Sequence, residues 1–77
     1  MEREERVNME LQAAREKSGK TQAQVAKEVG ITEQAYQRYE YGKIEPRART
    51  AIRIARAVDG TVEDLFGAAT PGETGRE

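Results

Sequence analysis

The chain has 77 residues and a formal net charge of −1, and it contains neither cysteine nor histidine. This length leaves room for one small domain without disulfides, which must be held together by packing. Histidine and cysteine are common catalytic bases and zinc ligands, and the sequence has no glycine-rich phosphate loop. The composition therefore argues against an enzyme and against a metal or cofactor.

The apolar runs of the sequence are only a few residues long, whereas a membrane-spanning helix needs about 20 apolar residues. Residues 1–7 are rich in charge and no apolar stretch follows them, so they do not have the pattern of a signal peptide. We therefore expect a soluble cytoplasmic protein that has no membrane partner.

Charge is distributed unevenly along the chain. Residues 1–6 hold three Glu and two Arg, and residues 68–77 hold two Glu and one Arg, so each end carries one net negative charge. Residues 36–57 hold two carboxylates and six cations: Arg38, Lys43, Arg47, Arg49, Arg53 and Arg56. A local basic surface attracts phosphate even when the total charge is near zero. The alternative is that these cations are simply the solvated surface of a small helical domain.

The first two helices are predicted between residues 7 and 30. The apolar and small residues at helical spacing in the first are Val7, Leu11, Ala14 and Ser18. Gly19 ends this helix, and Thr21 with Gln24 forms a capping box that starts the second. The second helix is expected to bury Val25, Ala26 and Val29. It ends at Gly30, which tolerates the backbone of a tight turn.

Three further helices are predicted after Gly30. Thr32 caps a helix over residues 33–41 whose inward face holds Ala35, Tyr36 and Tyr39. Pro46 suits the first turn of a fourth helix, whose apolar stripe is Ala48, Ala51, Ile52, Ala55 and Val58. Residues 59–60 break that helix, and Thr61 caps a short last one that carries Val62, Leu65 and Phe66. The sequence thus predicts an all-α domain of five helices over residues 7–66, between a charged tail (1–6) and a flexible tail (67–77).

The segment around Gly30 has the features of a helix-turn-helix. Ala26 offers a small side chain where two helices cross, and Gly30 permits the tight turn. The outward face of the third helix carries residues of the kinds that contact base edges: Glu33, Gln34, Gln37, Arg38 and Tyr41. Glutamine can bond adenine, arginine can bond guanine, and glutamate can accept from the amino group of cytosine. The alternative is that these polar residues are merely solvated.

Several separated motifs resemble the Cro/C1-type helix-turn-helix family, also called the XRE family, which includes small phage repressors. The resemblance covers about residues 7–66. It rests on Leu11, Arg15, Thr21-Gln22, Val25-Ala26, Gly30-Ile31-Thr32, the sequence YQRYEYGK at 36–43, Pro46, the sequence IARAV at 54–58 and the sequence VEDLF at 62–66. Their order and spacing together are typical of the family, which implies a lambda-repressor-like DNA-binding fold.

The resemblance also implies roles for individual residues. The positions that match base-contacting ones in the family are Glu33, Gln34 and Arg38, with Gln37 beside them. Those that match backbone-contacting ones are Gln22, Thr32 and Lys43, together with Arg47, whose counterpart in some members reaches toward the minor groove. The implied partner is a double-stranded DNA operator.

Two pairs of positions bear on the core. Arg15 and Glu40 match a pair that forms an inward ion bridge between helices one and three in the family; alternatively, they are unrelated surface charges. Tyr36 and Tyr39 stand where the family often has Ile or Val, and both can pack with a hydroxyl at the surface. Residues 59–60 replace a Gly followed by a β-branched residue, so the turn before the last helix is expected to differ.

A competing interpretation is a protein-interaction module, such as an antitoxin or a bridging coactivator that binds a partner protein. Such a module is expected to show an apolar patch on the third helix, and the polar face found there favours DNA. We therefore expect a transcriptional repressor that acts as a homodimer and places two third helices in major grooves about 34 Å apart. Leu65 and Phe66 either form the dimer contact or only close the core of the monomer.

Overall fold

The computed structural model describes residues 7–67. Within this range the chain forms helices and no strand: α1 (Met9–Lys17), α2 (Gln22–Val29), α3 (Glu33–Glu40), α4 (Ala48–Ala57) and α5 (Val62–Phe66). The prediction of an all-α domain with five helices is confirmed. The predicted tails, residues 1–6 and 67–77, lie outside the described residues apart from Gly67. None of the helices within residues 7–67 is long and apolar enough to cross a membrane.

Side-chain caps define the start of most of these helices. The N-cap residues whose side chains accept a backbone N–H bond from three positions later are Asn8, Thr21, Thr32 and Thr61. At Thr21 the Gln24 side chain accepts in return from the Thr21 backbone N–H at 2.8 Å, so the predicted capping box is confirmed. The placing of Pro46 in the first turn of α4 was wrong. Arg47 is still extended, with ψ 163°, and the helix begins at Ala48.

The core forms where α2 packs against α3 and α4, and α1 and α5 close it. Its buried side chains are Leu11, Val25, Ala26, Val29, Tyr36, Ala51, Ile54, Ala55, Val58, Leu65 and Phe66. Leu65 and Phe66 are only 4% and 8% exposed. Of the two roles considered for this pair, closing the core of the single chain is the one that the structure shows.

The buried stripe of α4 differs from the predicted one by a shift along the helix. Ile52 is 44% exposed, whereas Ile54 is 0% exposed and belongs to the core. The observed stripe is Ala51, Ile54, Ala55 and Val58. It keeps the predicted i, i+3, i+4, i+7 spacing but begins three residues later. Because both stripes are apolar, the spacing alone could not choose between them, and packing against α2 and α5 decides.

Left-handed backbone conformations occur at Gly19, Gly30, Gly42 and Asp59 in the described range, and those at Gly30 and Asp59 bear on the turns that follow α2 and α4. Gly30, with φ 89°, ends α2, and the N–H groups of Gly30 and Ile31 both donate to the Ala26 carbonyl, at 2.9 and 3.0 Å. This tight turn sets α3 across α2. Asp59, with φ 60°, adopts the same region after α4, at the position where the resemblance noted above implies a glycine. The turn therefore keeps a left-handed residue, although aspartate takes it at a higher energy than glycine.

Candidate nucleic-acid interface

The outward side of α3 presents the side chains that the sequence singled out for base contacts. Glu33, Gln34 and Arg38 are exposed, and Gln37 is half-buried. We call these four residues the recognition face. They occupy positions i, i+1, i+4 and i+5 of one helix, so they project to one side of it. Opposite them, Tyr36 and Glu40 point into the domain.

Glu40 is the one charged residue that is fully buried in the described range. Its Oε2 accepts from the Nε of Arg15 at 2.6 Å and from the hydroxyl of Tyr36 at 2.8 Å. Its Oε1 accepts from the Nε2 of Gln22 at 2.8 Å. The carboxylate therefore joins the first residue of α2 to α1 and α3. The expectation that the Tyr36 hydroxyl lies at the surface was wrong, because it is buried and donates to this carboxylate.

The electrostatics of this cluster favour an ionised pair. Burial alone would raise the pKa of the Glu40 carboxyl, but the hydrogen bonds from Arg15, Gln22 and Tyr36 together outweigh it and hold the pKa below its ordinary value. The bond to Glu40 raises the pKa of Arg15. Burial, and then the bond to Glu40, raises the pKa of the Tyr36 phenol. At neutral pH the carboxylate is therefore charged, and the phenol is a neutral donor.

Gln22 connects the buried carboxylate to the recognition face. While its Nε2 donates to Glu40, its Oε1 accepts from the Nε2 of Gln37 at 3.2 Å. Gln22 was predicted to bind phosphate and Gln37 to lie beside the base-contacting residues, and the structure brings these two side chains into contact. The Gln34 side chain makes no hydrogen bond within the part of the chain described.

Besides Gln22 at the start of α2, the predicted backbone-contacting residues lie at the ends of α3 and just before α4. Thr32 is exposed, and its hydroxyl oxygen accepts from the Ala35 N–H at 3.0 Å, which leaves the hydroxyl hydrogen for another acceptor. Lys43 is exposed, and its backbone N–H donates a hydrogen bond to the Arg38 carbonyl at 2.9 Å. Arg47 is exposed at the N-cap of α4, where its side chain makes no capping bond.

The cations of residues 36–57 do not share one surface. Arg53 and Arg56 line a cleft beside Glu28 and Val29, at the end of α2 opposite Gln22. A second cleft, between α1 and α5, is lined by acidic residues that include Glu10, Asp59, Glu63 and Asp64. Of the other four cations, Arg38 lies on α3, Lys43 follows that helix, and Arg47 and Arg49 lie at the start of α4; all four are exposed. The acidic cleft would repel a polyanion, whereas the α3 side carries exposed cations that would attract one.

Interhelical bonds that the sequence analysis missed hold the supporting helices in place. Asn8 accepts from the Leu11 N–H at 3.0 Å and donates to the Leu65 carbonyl at 2.8 Å, so it joins α1 to α5. The ammonium of Lys20 donates to the carbonyl of Ala57 at 2.7 Å, at the end of α4. Asparagine before a predicted helix is a cap signal that could have been found. No residue near Lys20 in the sequence indicates its contact with Ala57, which lies 37 positions away.

Comparison with known proteins agrees with this architecture. A helix-turn-helix family model matches residues 11–65. An uncharacterized HTH-type transcriptional regulator of Archaeoglobus fulgidus is 42% identical over 52 residues, which are 68% of this chain and 74% of that protein. The transcriptional repressor RstR of the cryptic phage CTXphi in Vibrio cholerae is 34% identical over 62 residues, 80% of this chain and 55% of RstR. The present chain thus spans little more than half the length of RstR.

The five-helix fold and these matches together identify a DNA-binding helix-turn-helix transcription regulator. The chain belongs to the helix-turn-helix family, and its resemblance to the Cro/C1-type members is confirmed.

Proposed function

We propose that this protein is a sequence-specific transcriptional repressor that places α3 in the major groove of its operator. The observation that carries the proposal is the exposed recognition face, which stands directly after a tight turn from α2. An α-helix with its side chains is about 10–12 Å wide, and the major groove of B-DNA is about 12 Å wide. The groove can therefore admit α3 with its polar side chains against the base edges.

In this proposal the candidate residues fall into two groups. Glu33, Gln34, Gln37 and Arg38 contact base edges. Gln22, Thr32, Lys43 and Arg47 contact the sugar-phosphate backbone and fix the position of α3 in the groove. The free N–H groups at the start of α2, beside Gln22, add donors for phosphate oxygens. Binding to the operator needs no chemical step, so the proposal includes no enzymatic activity. The proposal also places the protein in the cytoplasm, where the DNA is.

We further propose that two copies bind one operator. A single α3 contacts only a few base pairs, and a second copy one helical turn away multiplies specificity. Because Leu65 and Phe66 are used in the core, the contact between copies must come from other side chains. The large apolar side chains exposed within residues 7–67 are Met9, Tyr41, Ile44, Ile52 and Val62.

The interaction-module alternative predicts an apolar patch on α3. Tyr41, at the C-cap of α3, is 42% exposed, and no other exposed large apolar side chain lies on that helix in the described range. The recognition face therefore supports binding to DNA over binding of its α3 surface to a protein.

The decisive experiment is selection from a randomised duplex pool at near-physiological salt, with a salt titration alongside. An enriched palindrome with half-sites about ten base pairs apart is the expected result, with affinity that falls as salt rises. The proposal fails if the bound pool shows no enriched sequence and only weak, salt-sensitive binding remains. Capture of a partner protein would then become the next measurement.

A further inference from the structure

Two hydrogen bonds lead from the buried carboxylate to the surface of α3. The Nε2 of Gln22 donates to the Oε1 of Glu40 at 2.8 Å, and the Nε2 of Gln37 donates to the Oε1 of Gln22 at 3.2 Å. Glu40 is inaccessible to solvent, whereas Gln22 and Gln37 are half-buried. The three residues thus form a path from the interior to the recognition face.

In each hydrogen bond of this path, the group nearer the interior determines which partner donates and which accepts. An ionised carboxylate only accepts hydrogen bonds, so the end of the Gln22 amide that faces Glu40 must be its NH₂ group. The Gln22 oxygen then faces Gln37, and an amide oxygen also only accepts. The end of Gln37 that faces Gln22 must therefore be its NH₂ group, which leaves the Gln37 oxygen and its second N–H hydrogen for another partner.

We propose that buried Glu40 sets the direction of the Gln37 amide through Gln22, and that Gln37 in this fixed direction selects adenine in the major groove. Glu40 and Gln22 are positioning residues in this scheme, while Gln37 contacts the base. The inference rests on the proposed DNA-binding function. It adds to that function the base class that one residue recognises and the reason for the preference.

Adenine fits the groups that remain free on Gln37. Its major-groove edge offers the N6 amino donor and the N7 acceptor, which an amide oxygen and an N–H can bond together. Guanine offers two acceptors, N7 and O6, so an amide oxygen held in this direction would face an acceptor. A held side chain also loses less rotamer freedom on binding than a mobile one. The side chain of Gln34 makes no hydrogen bond in the described range, so it lacks this constraint and serves as the comparison.

The first test needs no DNA. Side-chain amide signals of Gln37 are measured by ¹⁵N–¹H NMR in the wild-type protein, in Gln22→Met and in the control Gln34→Met. Methionine keeps the length of glutamine without its donor or acceptor, and position 22 is only half-buried, so the fold should survive. We expect the Gln37 amide signals to shift in Gln22→Met and to stay in place in Gln34→Met. Unchanged Gln37 signals in Gln22→Met would overturn the inference.

The second test measures base preference at each operator position for the same proteins and for Gln37→Met. Gln37→Met should lose about a 5- to 150-fold preference for adenine at one position of each half-site, the range for one bidentate base contact. Gln22→Met should weaken the preference at that same position and leave the position contacted by Arg38 unchanged. If Gln22→Met lowers affinity equally for every base, Gln22 is only a phosphate ligand and the inference is wrong. If the wild-type protein selects no sequence, the proposed function fails, and the NMR comparison alone decides whether the amide direction is set.

Discussion

Arg15 and Glu40, 25 positions apart in the sequence, meet inside the domain with the Nε of Arg15 donating to the Oε2 of Glu40 at 2.6 Å. The Arg15 side chain is 13% exposed and that of Glu40 is not exposed at all. The Nη1 of Arg15 also donates to the carbonyl of Lys20 at 2.9 Å, which joins the pair to the loop before α2. Removal of one partner would leave the other charged and desolvated.

Glu40→Ala should therefore destabilise the domain by about 3–5 kcal/mol, the usual cost of stranding one member of a buried ion pair. Urea unfolding followed by circular dichroism measures this loss. The matched control is Arg15→Met combined with Glu40→Leu, which replaces the pair by apolar side chains and should retain most of the stability. A cost below about 1 kcal/mol for Glu40→Ala would show that the cluster does not depend on its carboxylate.

The acid stability of the domain should depend on the same carboxylate. The pKa of Glu40 is lowered in the folded state from an ordinary value of 4.5. As the pH falls below that value, the unfolded state takes up the proton first, so stability is lost progressively down to the folded pKa. Unfolding free energies between neutral pH and pH 3 should show this loss in the wild type. The Arg15→Met, Glu40→Leu control should show a smaller loss, and equal slopes would contradict the prediction.

Arg38→Ala should weaken binding to the selected operator by about 1–3 kcal/mol without unfolding the domain, because Arg38 is an exposed residue of the recognition face. Arg56→Ala removes the same charge from the cleft beside α2 and serves as the control. Titration of labelled operator by fluorescence anisotropy compares the two. Equal affinity losses would mean that only net charge matters and that Arg38 contacts no base.

The two isoleucines of α4 offer a test of its packing. Ile54→Ala should cost about 2–5 kcal/mol of stability, because it empties a fully buried site. Ile52→Ala should change stability by less than about 0.5 kcal/mol, because the side chain is exposed within the single chain. Thermal unfolding at low protein concentration gives both values. The reverse order would indicate that the stripe predicted from spacing, with Ile52 inside, is the buried one.

Gly30 and Asp59, which both have left-handed backbone conformations, should respond to substitution with opposite signs. Asp59→Gly relieves the left-handed conformation at Asp59 and should stabilise the domain by about 0.5 kcal/mol after the entropy of the unfolded glycine is allowed for. Gly30→Ala forces a side chain into the same region and should cost about 1–2 kcal/mol. A Cβ at position 30 meets no atom within 4 Å, so the backbone alone accounts for that cost. Chemical unfolding measures the change in the free energy of unfolding for each variant. If both variants are stabilised or both are destabilised, the prediction is wrong.

Features that depend on neighbouring residues were predictable from the sequence. The capping box of Thr21 and Gln24, the caps at Thr32 and Thr61, and the turn at Gly30 each involve groups a few positions apart. Such interactions are nearly independent of the rest of the fold. The sequence could therefore define the five helices and the helix-turn-helix, and the order of the motifs sufficed to recognise the family.

Features that depend on how the helices are placed against one another required the tertiary structure. The choice of Ile54 over Ile52, the inward turn of the Tyr36 hydroxyl and the contact of Gln22 with Gln37 all join or orient separate elements. The spacing of residues along the sequence cannot distinguish between two apolar stripes of one helix or between two directions of one side-chain amide. They become unequal only when a neighbouring helix supplies a packed surface or a buried charge. By itself, then, the sequence determined which helices form and which polar side chains α3 exposes, whereas only the packing around Glu40 decided how Gln22 and Gln37 are held.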